Sequence, residues 1–280
     1  MKTILLPTDF SETARNAAIY AIHLGNQLKA AKMILYNACE EPMPTELNMG
    51  PINFIGVEAT INASKEALKK FENGVISECP TEMAIELKSE YTTLSNDINE
   101  LCTSLGADLI VMGVTGGGKL QETLVGSNAV HVARHSETPV IIIPPGAAWS
   151  PIQEVVLACD FKKVVDTMPV EPIRNILDVT KAGLFILNID HRQKNFSVDT
   201  PFESLMLNEF FHTYNPQYTF SDNEDFIEGI NAFALEKKVD LIITIPKKHG
   251  LFDKLFSNNH TKKLAFHSHV PLMMIHENDE

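Results

Sequence analysis

The most restrictive feature of this 280-residue chain is that it repeats itself. Lys2–Pro7 runs into Thr8-Asp9-Phe10, and 151 positions later Gln153–Ala158 runs into Cys159-Asp160-Phe161. The same offset lays Met33–Asn37 on Leu184–Asn188. Farther along the offset becomes 132: Ala107–Val111 falls on Val239–Ile243, His135-Ser136 on His267-Ser268, and Pro139 on Pro271. Two constant offsets, each carried by apolar runs and by single polar matches, indicate a duplicated unit. The change of offset assigns 19 extra residues to the first copy between Cys39 and Leu94, with Glu41–Phe54 as the expected insertion. Pro144-Pro145-Gly146-Ala147-Ala148-Trp149-Ser150-Pro151 reads as the linker. The expected units are residues 1–145 and 151–280, each of ordinary domain size.

Within the first copy, strand and helix patterns alternate. Lys2–Pro7, Met33–Ala38, Ala84–Glu90, Ala107–Met112 and Val140–Ile143 read as strands. Most lack the polar alternation of a half-exposed sheet, as expected for parallel strands covered on both faces. Ser11 is placed to cap a helix with Ala14, Ala18, Ala21 and Leu28 at helical spacing. Ala59–Glu78 is a second helical pattern, and Leu94, Ile98, Leu101, Cys102 and Leu105 form one apolar helix face. In the second copy, Phe202–Phe211 is an apolar helical pattern expected to join the core, with partner binding as the open alternative. The fold expected is α/β: two tandem doubly wound parallel sheets of five strands, with helices on both faces.

Composition removes several classes of function. The net charge of −13 argues against a nucleic-acid surface or an anionic lipid partner. Cys39, Cys79, Cys102 and Cys159 make no CxxC pair, which removes zinc clusters and thioredoxin chemistry. The N-terminal apolar run is too short for a signal peptide, and no run approaches a membrane span. A cytoplasmic protein is expected. His267-x-His269 with His260 and His276 is a weak metal pattern, read as surface histidines. Lys162-Lys163 and Lys247-Lys248 are read as solvated.

The chemistry-bearing stretch follows Leu109–Met112. It reads Gly113-Val114-Thr115-Gly116-Gly117-Gly118-Lys119, then Gly126-Ser127-Asn128 before another helix. A glycine-rich turn leaving a strand can direct successive N–H groups into one concavity. A helix opening at Gly126-Ser127 would offer free N–H groups and the positive end of its dipole to the same anion. Gly113, Gly118 and Lys119 have Walker spacing, but Leu120 stands where the magnesium-binding hydroxyl belongs. No GxGxxG follows the first strand, so a dinucleotide fingerprint is absent. If the first and fourth strands are neighbours, Asp9 and Gly113 flank one cleft. Asp9 would then hold ribose hydroxyls or a metal, cap the Ser11 helix, or do both.

Together these residues resemble the universal stress protein family. Its nucleotide-binding members have G-x2-G-x9-G-[ST] after the fourth strand, matched here by Gly113, Gly116, Gly126 and Ser127, and an Asp ending the first strand, matched by Asp9. The resemblance covers both copies and implies strand order 3-2-1-4-5, ATP or a related nucleotide, and pairing of units through the last strand. It places adenine near Ala38. Gly113, Gly116, Lys119, Gly126, Ser127 and Asn128 would hold phosphates, with Mg²⁺ sharing their charge. The second copy departs: at offset 132 Ile245, Lys248, Asn258 and Asn259 replace the motif, while Asp160 keeps the first-strand position. One nucleotide per chain is therefore expected, together with an intramolecular pseudo-dimer, a possible homodimer and an unidentified protein partner. Two alternatives stand beside nucleotide-dependent regulation: slow ATP hydrolysis at the same cleft, and a nucleotide-free interaction module using Glu41–Phe54 and the degenerate second copy.

Overall fold

The computed structural model describes residues 1–39, 54–94, 98–114, 127–189, 200–246 and 268–277. The first copy contributes β1 (Thr3–Pro7), α1 (Glu12–Leu28), β2 (Lys32–Cys39), α2 (Phe54–Glu78), β3 (Ala84–Tyr91), α3 (Ile98–Leu105), β4 (Leu109–Gly113), α4 (Ser127–His135) and β5 (Val140–Ile143). The second contributes β6 (Glu154–Ala158), α5 (Val164–Thr167), α6 (Val170–Thr180), β7 (Gly183–Ile189), α7 (Thr200–Phe211), β8 (Gln217–Ser221), α8 (Phe226–Lys237), β9 (Leu241–Thr244) and β10 (Leu272–Met274).

These ten strands form a single sheet, ordered β3-β2-β1-β4-β5-β10-β9-β6-β7-β8. Each copy keeps the order 3-2-1-4-5 in its own count. The two expected five-stranded sheets are thus one surface, joined where β5 meets β10. That junction is antiparallel, with Met273 opposite Ile141, whereas the pairings within each copy are parallel. Joining the last strands removes two open edges of backbone donors and acceptors. Helices cover both faces. Residues of α1, α2, α6 and α7 pack on the side of Ile4 and Leu6, and residues of α3, α4 and α8 on the side of Leu5.

The polar matches between the copies hold the strands in place. Asp108 Oδ2 accepts from the N–H groups of Lys2 and Thr3 at 2.7 and 3.0 Å. Asp240 Oδ2 does the same for Gln153 and Glu154 at 2.9 and 3.0 Å. Ser136 and Ser268 donate to the carbonyls of Thr138 and Val270 just before the last strands. The linker packs tightly on the first copy. Trp149 meets Tyr20 edge-on at 4.8 Å and stacks on His23 at 5.6 Å. The Gln27 side chain exchanges two hydrogen bonds with the Ile152 backbone. Burial under this cover pushes the Tyr20 phenol well above its ordinary pKa, with the Asp240 carboxylate adding to the effect.

Several expected boundaries move, for local reasons. β4 begins at Leu109 because Ala107 still closes α3, its N–H bonding to the Cys102 carbonyl behind Gly106 at positive φ. β9 begins at Leu241 for the same reason, with Val239 closing α8 on the Ala234 carbonyl. α2 starts earlier than expected, at Phe54, and α3 later, at Ile98, leaving Leu94 in the preceding loop. The expected insertion at Glu41–Phe54 lies almost entirely outside the described residues. The apolar run Phe202–Phe211 is only partly core: Leu207 and Phe211 are buried, but Phe202 and Leu205 are 56% and 54% exposed. None of the four cysteines forms a disulfide. No helix among the described residues is long and apolar enough to cross a membrane.

Candidate functional site

The strand order reverses between β1 and β4, and ligand crevices of open α/β sheets lie outside the carboxyl ends of strands at such a point. Ile4 pairs with Leu109 and Leu5 with Ile110, a register that carried forward sets Thr8 beside Gly113. The β1–β2 register, Pro7 on Tyr36, carries forward to Asp9 beside Ala38. The structure therefore gathers Asp9, Ala38 and Gly113 at the ends of three adjacent strands. The α4 backbone begins at Ser127, and Asn128 is exposed in its first turn. Gly116, Lys119 and Gly126 lie outside the described residues.

The β1–α1 turn is built by side chains bonding back to their own backbone. Phe10 N–H donates to Thr8 Oγ1, and Ser11 N–H to Asp9 Oδ1, both at 3.0 Å. The Ser11 hydroxyl also donates to Asp9 Oδ1 while its oxygen accepts from Ala14 N–H at 3.2 Å. Ser11 is thus the helix cap and Asp9 its support, which settles the capping alternative. Asp9 is exposed, and its Oδ2 makes no hydrogen bond among the described residues. Phe10 pays for the turn with φ of +65°, costly for a bulky side chain. The Asn37 amide, buried, ties the turn to β2 by donating to the Thr8 carbonyl at 2.7 Å.

Gly113 does not adopt a positive φ. Its missing side chain makes room for α1: a Cβ there would collide with the Thr13 carbonyl oxygen and stand 2.7 Å from the carbonyl carbon. Packing of the first helix turn against the β4 end thus requires this glycine, whatever lies in the crevice.

A cavity of about 380 Å³ opens between the β3 end and α3. Its polar lining includes Tyr36, Glu90, Thr92, Thr93, Glu100 and Ser104. Glu90 is the register partner of Ala38. Its carboxylate accepts from Tyr36 O–H at 2.9 Å and pairs with Lys88 at 2.8 Å. The Lys88 hydrogen bond, helped by Tyr36, holds the Glu90 pKa below its ordinary value against the opposing effect of partial burial. Thr93 Oγ1 is buried with no hydrogen-bond partner among the described residues. Sequence reasoning missed these residues because they come from two strands, a loop and a helix with no shared motif.

The second copy repeats the turn, but the residues at its strand ends are buried. Phe161 N–H bonds to Cys159 Sγ, Lys162 N–H to Asp160 Oδ1, and the Asn188 amide to the Cys159 carbonyl. Phe161 also has positive φ, +51°. Where the first copy has exposed Asp9 and half-buried Ala38 and Gly113, the second has Asp160 at 5%, Ile189 at 5% and Ile245 at 2% exposure. Ile245 cannot coexist with a straight first helix placed as α1 is. The counterpart of α1 is broken into α5 and α6 at Met168-Pro169, and Glu203 of α7 accepts from Val164 N–H at 2.7 Å. Lys248, Asn258 and Asn259 lie outside the described residues, as do His260 and His267. No group of three or more His, Cys, Asp or Glu among the described residues is arranged to hold a metal.

A family model described as the universal stress protein family matches residues 1–144. A universal stress protein of Methanocaldococcus jannaschii is 30% identical over 147 residues, covering 51% of this chain and 81% of that protein. A second from the same organism is 27% identical over 155 residues, covering 51% and 94%. The crystal structure of a universal stress protein from Archaeoglobus fulgidus matches 99% of this chain and 97% of its own, with a TM-score of 0.73 at 18% identity, a likeness of fold. The match over 144 of 280 residues, with the glycine pattern that follows β4 in the sequence, establishes that the chain belongs to the universal stress protein family.

Proposed function

We propose that this chain binds one adenine nucleotide, ATP with Mg²⁺, in the unit 1–145 and works as a nucleotide-dependent regulator in a stress response. The observation that carries the reading is the contrast between two crevices of identical topology. In one, Asp9 is exposed and Ala38 and Gly113 are half-buried; in the other, Asp160, Ile189 and Ile245 are all buried.

In this reading the phosphates lie between the turn after β4 and the start of α4, held by N–H groups of Gly116, Gly126, Ser127 and Asn128 and by Lys119. The exposed Asp9 Oδ2 takes a ribose hydroxyl or the magnesium ion. The base passes over Ala38 toward the cavity, where the ionised Glu90 can accept from an exocyclic amino group. Binding, not hydrolysis, is the function proposed, because one oxygen of Asp9 is already committed to the Ser11 turn. The unit 151–280 serves as the structural counterpart.

Mass spectrometry of small molecules released on denaturation, followed by ATP titration calorimetry, tests this. One ATP per chain is expected, weakened at least about tenfold in Gly116→Val and Gly126→Ala, a loss of about 1.4 kcal/mol. Gly113 variants are not diagnostic, since packing alone requires that glycine. Two sites per chain would overturn the argument from the buried strand ends of the second copy. Absence of binding would favour the nucleotide-free interaction module.

A further inference from the structure

The ten-stranded sheet ends in two edge strands, β3 and β8, of opposite character. β3 carries Glu86, Lys88 and Glu90, with Glu86 paired to Lys32 and Lys88 to Glu90. Charges on an edge strand discourage another strand from pairing with it. β8 reads Gln217-Tyr218-Thr219-Phe220-Ser221 and carries no charge. It pairs with β7 on one side, and its outer N–H and C=O groups have no strand partner among the described residues.

Exposed apolar side chains gather on the same part of the molecule. Of the seven large ones among the described residues, Phe220 lies on β8, Phe202 and Leu205 on α7, and Val165 on α5. Phe220 is 62% exposed although its ring stacks on Phe161 at 5.4 Å. Tyr218, two positions earlier on the same face of the strand, stacks on Phe161 at 6.5 Å. Phe161 lies three residues before α5, and Glu203 of α7 accepts from Val164 N–H at the start of α5. An apolar neighbourhood of this kind, held in place yet facing water, marks an interaction surface.

We propose that β8 pairs antiparallel with β8 of a second copy of this chain, continuing the sheet across a twofold axis at Thr219. The strand is self-complementary about that residue. Pro216 and Asp222 bound it, so Thr219 is its midpoint. Thr219 then faces its own symmetry mate, Tyr218 faces the second copy's Phe220, and Gln217 faces the second copy's Ser221. Aromatic pairs and threonine pairs are stabilising cross-strand neighbours. An axis perpendicular to the sheet keeps both aromatic pairs on the face that α7 covers. The chain already uses this operation once, since β5 and β10 join its two copies by antiparallel pairing. That junction occupies the last strands, which leaves a second chain β3 and β8, and of these β8 alone is uncharged. Identical strands across a twofold axis close the interface on itself as a dimer.

Sedimentation velocity of the full-length chain over a concentration series tests this. The wild type should pass from monomer to dimer in the micromolar range. Q217K/S221K sets like charges opposite each other twice across the axis, and should weaken the dimer at least about tenfold. It does so while reducing the net charge of −13, a change that by itself favours association. Q217K/S221E sets opposite charges at the same two contacts and should restore most of the affinity. Positions 217 and 221 are about 13 Å apart along an extended strand, so the two variants differ in contacts between chains, not within one. F220K should also weaken the dimer. A wild type that stays monomeric to millimolar concentration would overturn the proposal, and so would equal affinities for the two double variants. If F220K lowers the melting temperature, the comparison of the double variants decides alone. The outcome is independent of nucleotide binding, because β8 lies at the far end of the sheet from β1 and β4.

Discussion

At Gly113 the chain has no space for a methyl group, because the Thr13 carbonyl of α1 occupies it. Gly113→Ala should therefore lower stability by about 1–3 kcal/mol, the usual cost of forcing an extra carbon into a packed contact. Urea unfolding would measure it, and a change within about 0.5 kcal/mol, typical of unconstrained surface sites, would contradict the packing argument. The glycine spacing was legible in the sequence, but the reason for its first member was not, since Thr13 and Gly113 meet only across β1 and β4. Asp9 was legible as a strand-end carboxylate; that it supports Ser11 while keeping one oxygen exposed required coordinates. The cavity residues Glu90, Thr93 and Ser104 carry no local signal, because their proximity comes from the β2–β3 register and the placement of α3.

At the scale of elements, strands are held by side chains placed just before them. Asp108 secures the start of β1 with two hydrogen bonds, and Asp240 secures β6 with two more. Asp240 also accepts from the Ser150 hydroxyl at 2.6 Å, which ties in the linker. Asp240→Ala should therefore destabilise more than Asp108→Ala, by about 1 kcal/mol for the additional bond. Denaturant midpoints of the two variants compare them directly, and equal losses would show that the linker bond contributes nothing. Element types were legible from apolar periodicity. Ends were less so, because Ala107 and Val239 continue apolar strand patterns while their N–H groups close the preceding helices. The break between α5 and α6 had a signal in Pro169, whose counterpart in α1 is Ala18. Proline forces the preceding residue toward extended backbone, and Met168 has ψ of 116°.

For the whole molecule, the β5–β10 pairing makes two repeats into one sheet. β10 is three residues long and bonded on both sides, to β5 and to β9. Met273→Pro removes a backbone donor at its centre, a substitution that interior strands do not tolerate. The wild type should unfold in one calorimetric transition, and the variant in two as the copies uncouple. A single unchanged transition would show that Trp149, Gln27 and His276 suffice to couple them.

The sequence by itself determined the duplication, the α/β class, the order of elements and the asymmetry of the glycine pattern, because each is written in local spacing. Tertiary structure decided that the two sheets are continuous, that Gly113 serves α1, and that Asp160 is buried where Asp9 is exposed. Those outcomes depend on contacts between segments far apart in the chain, and the space left between packed backbones is not encoded in any local pattern.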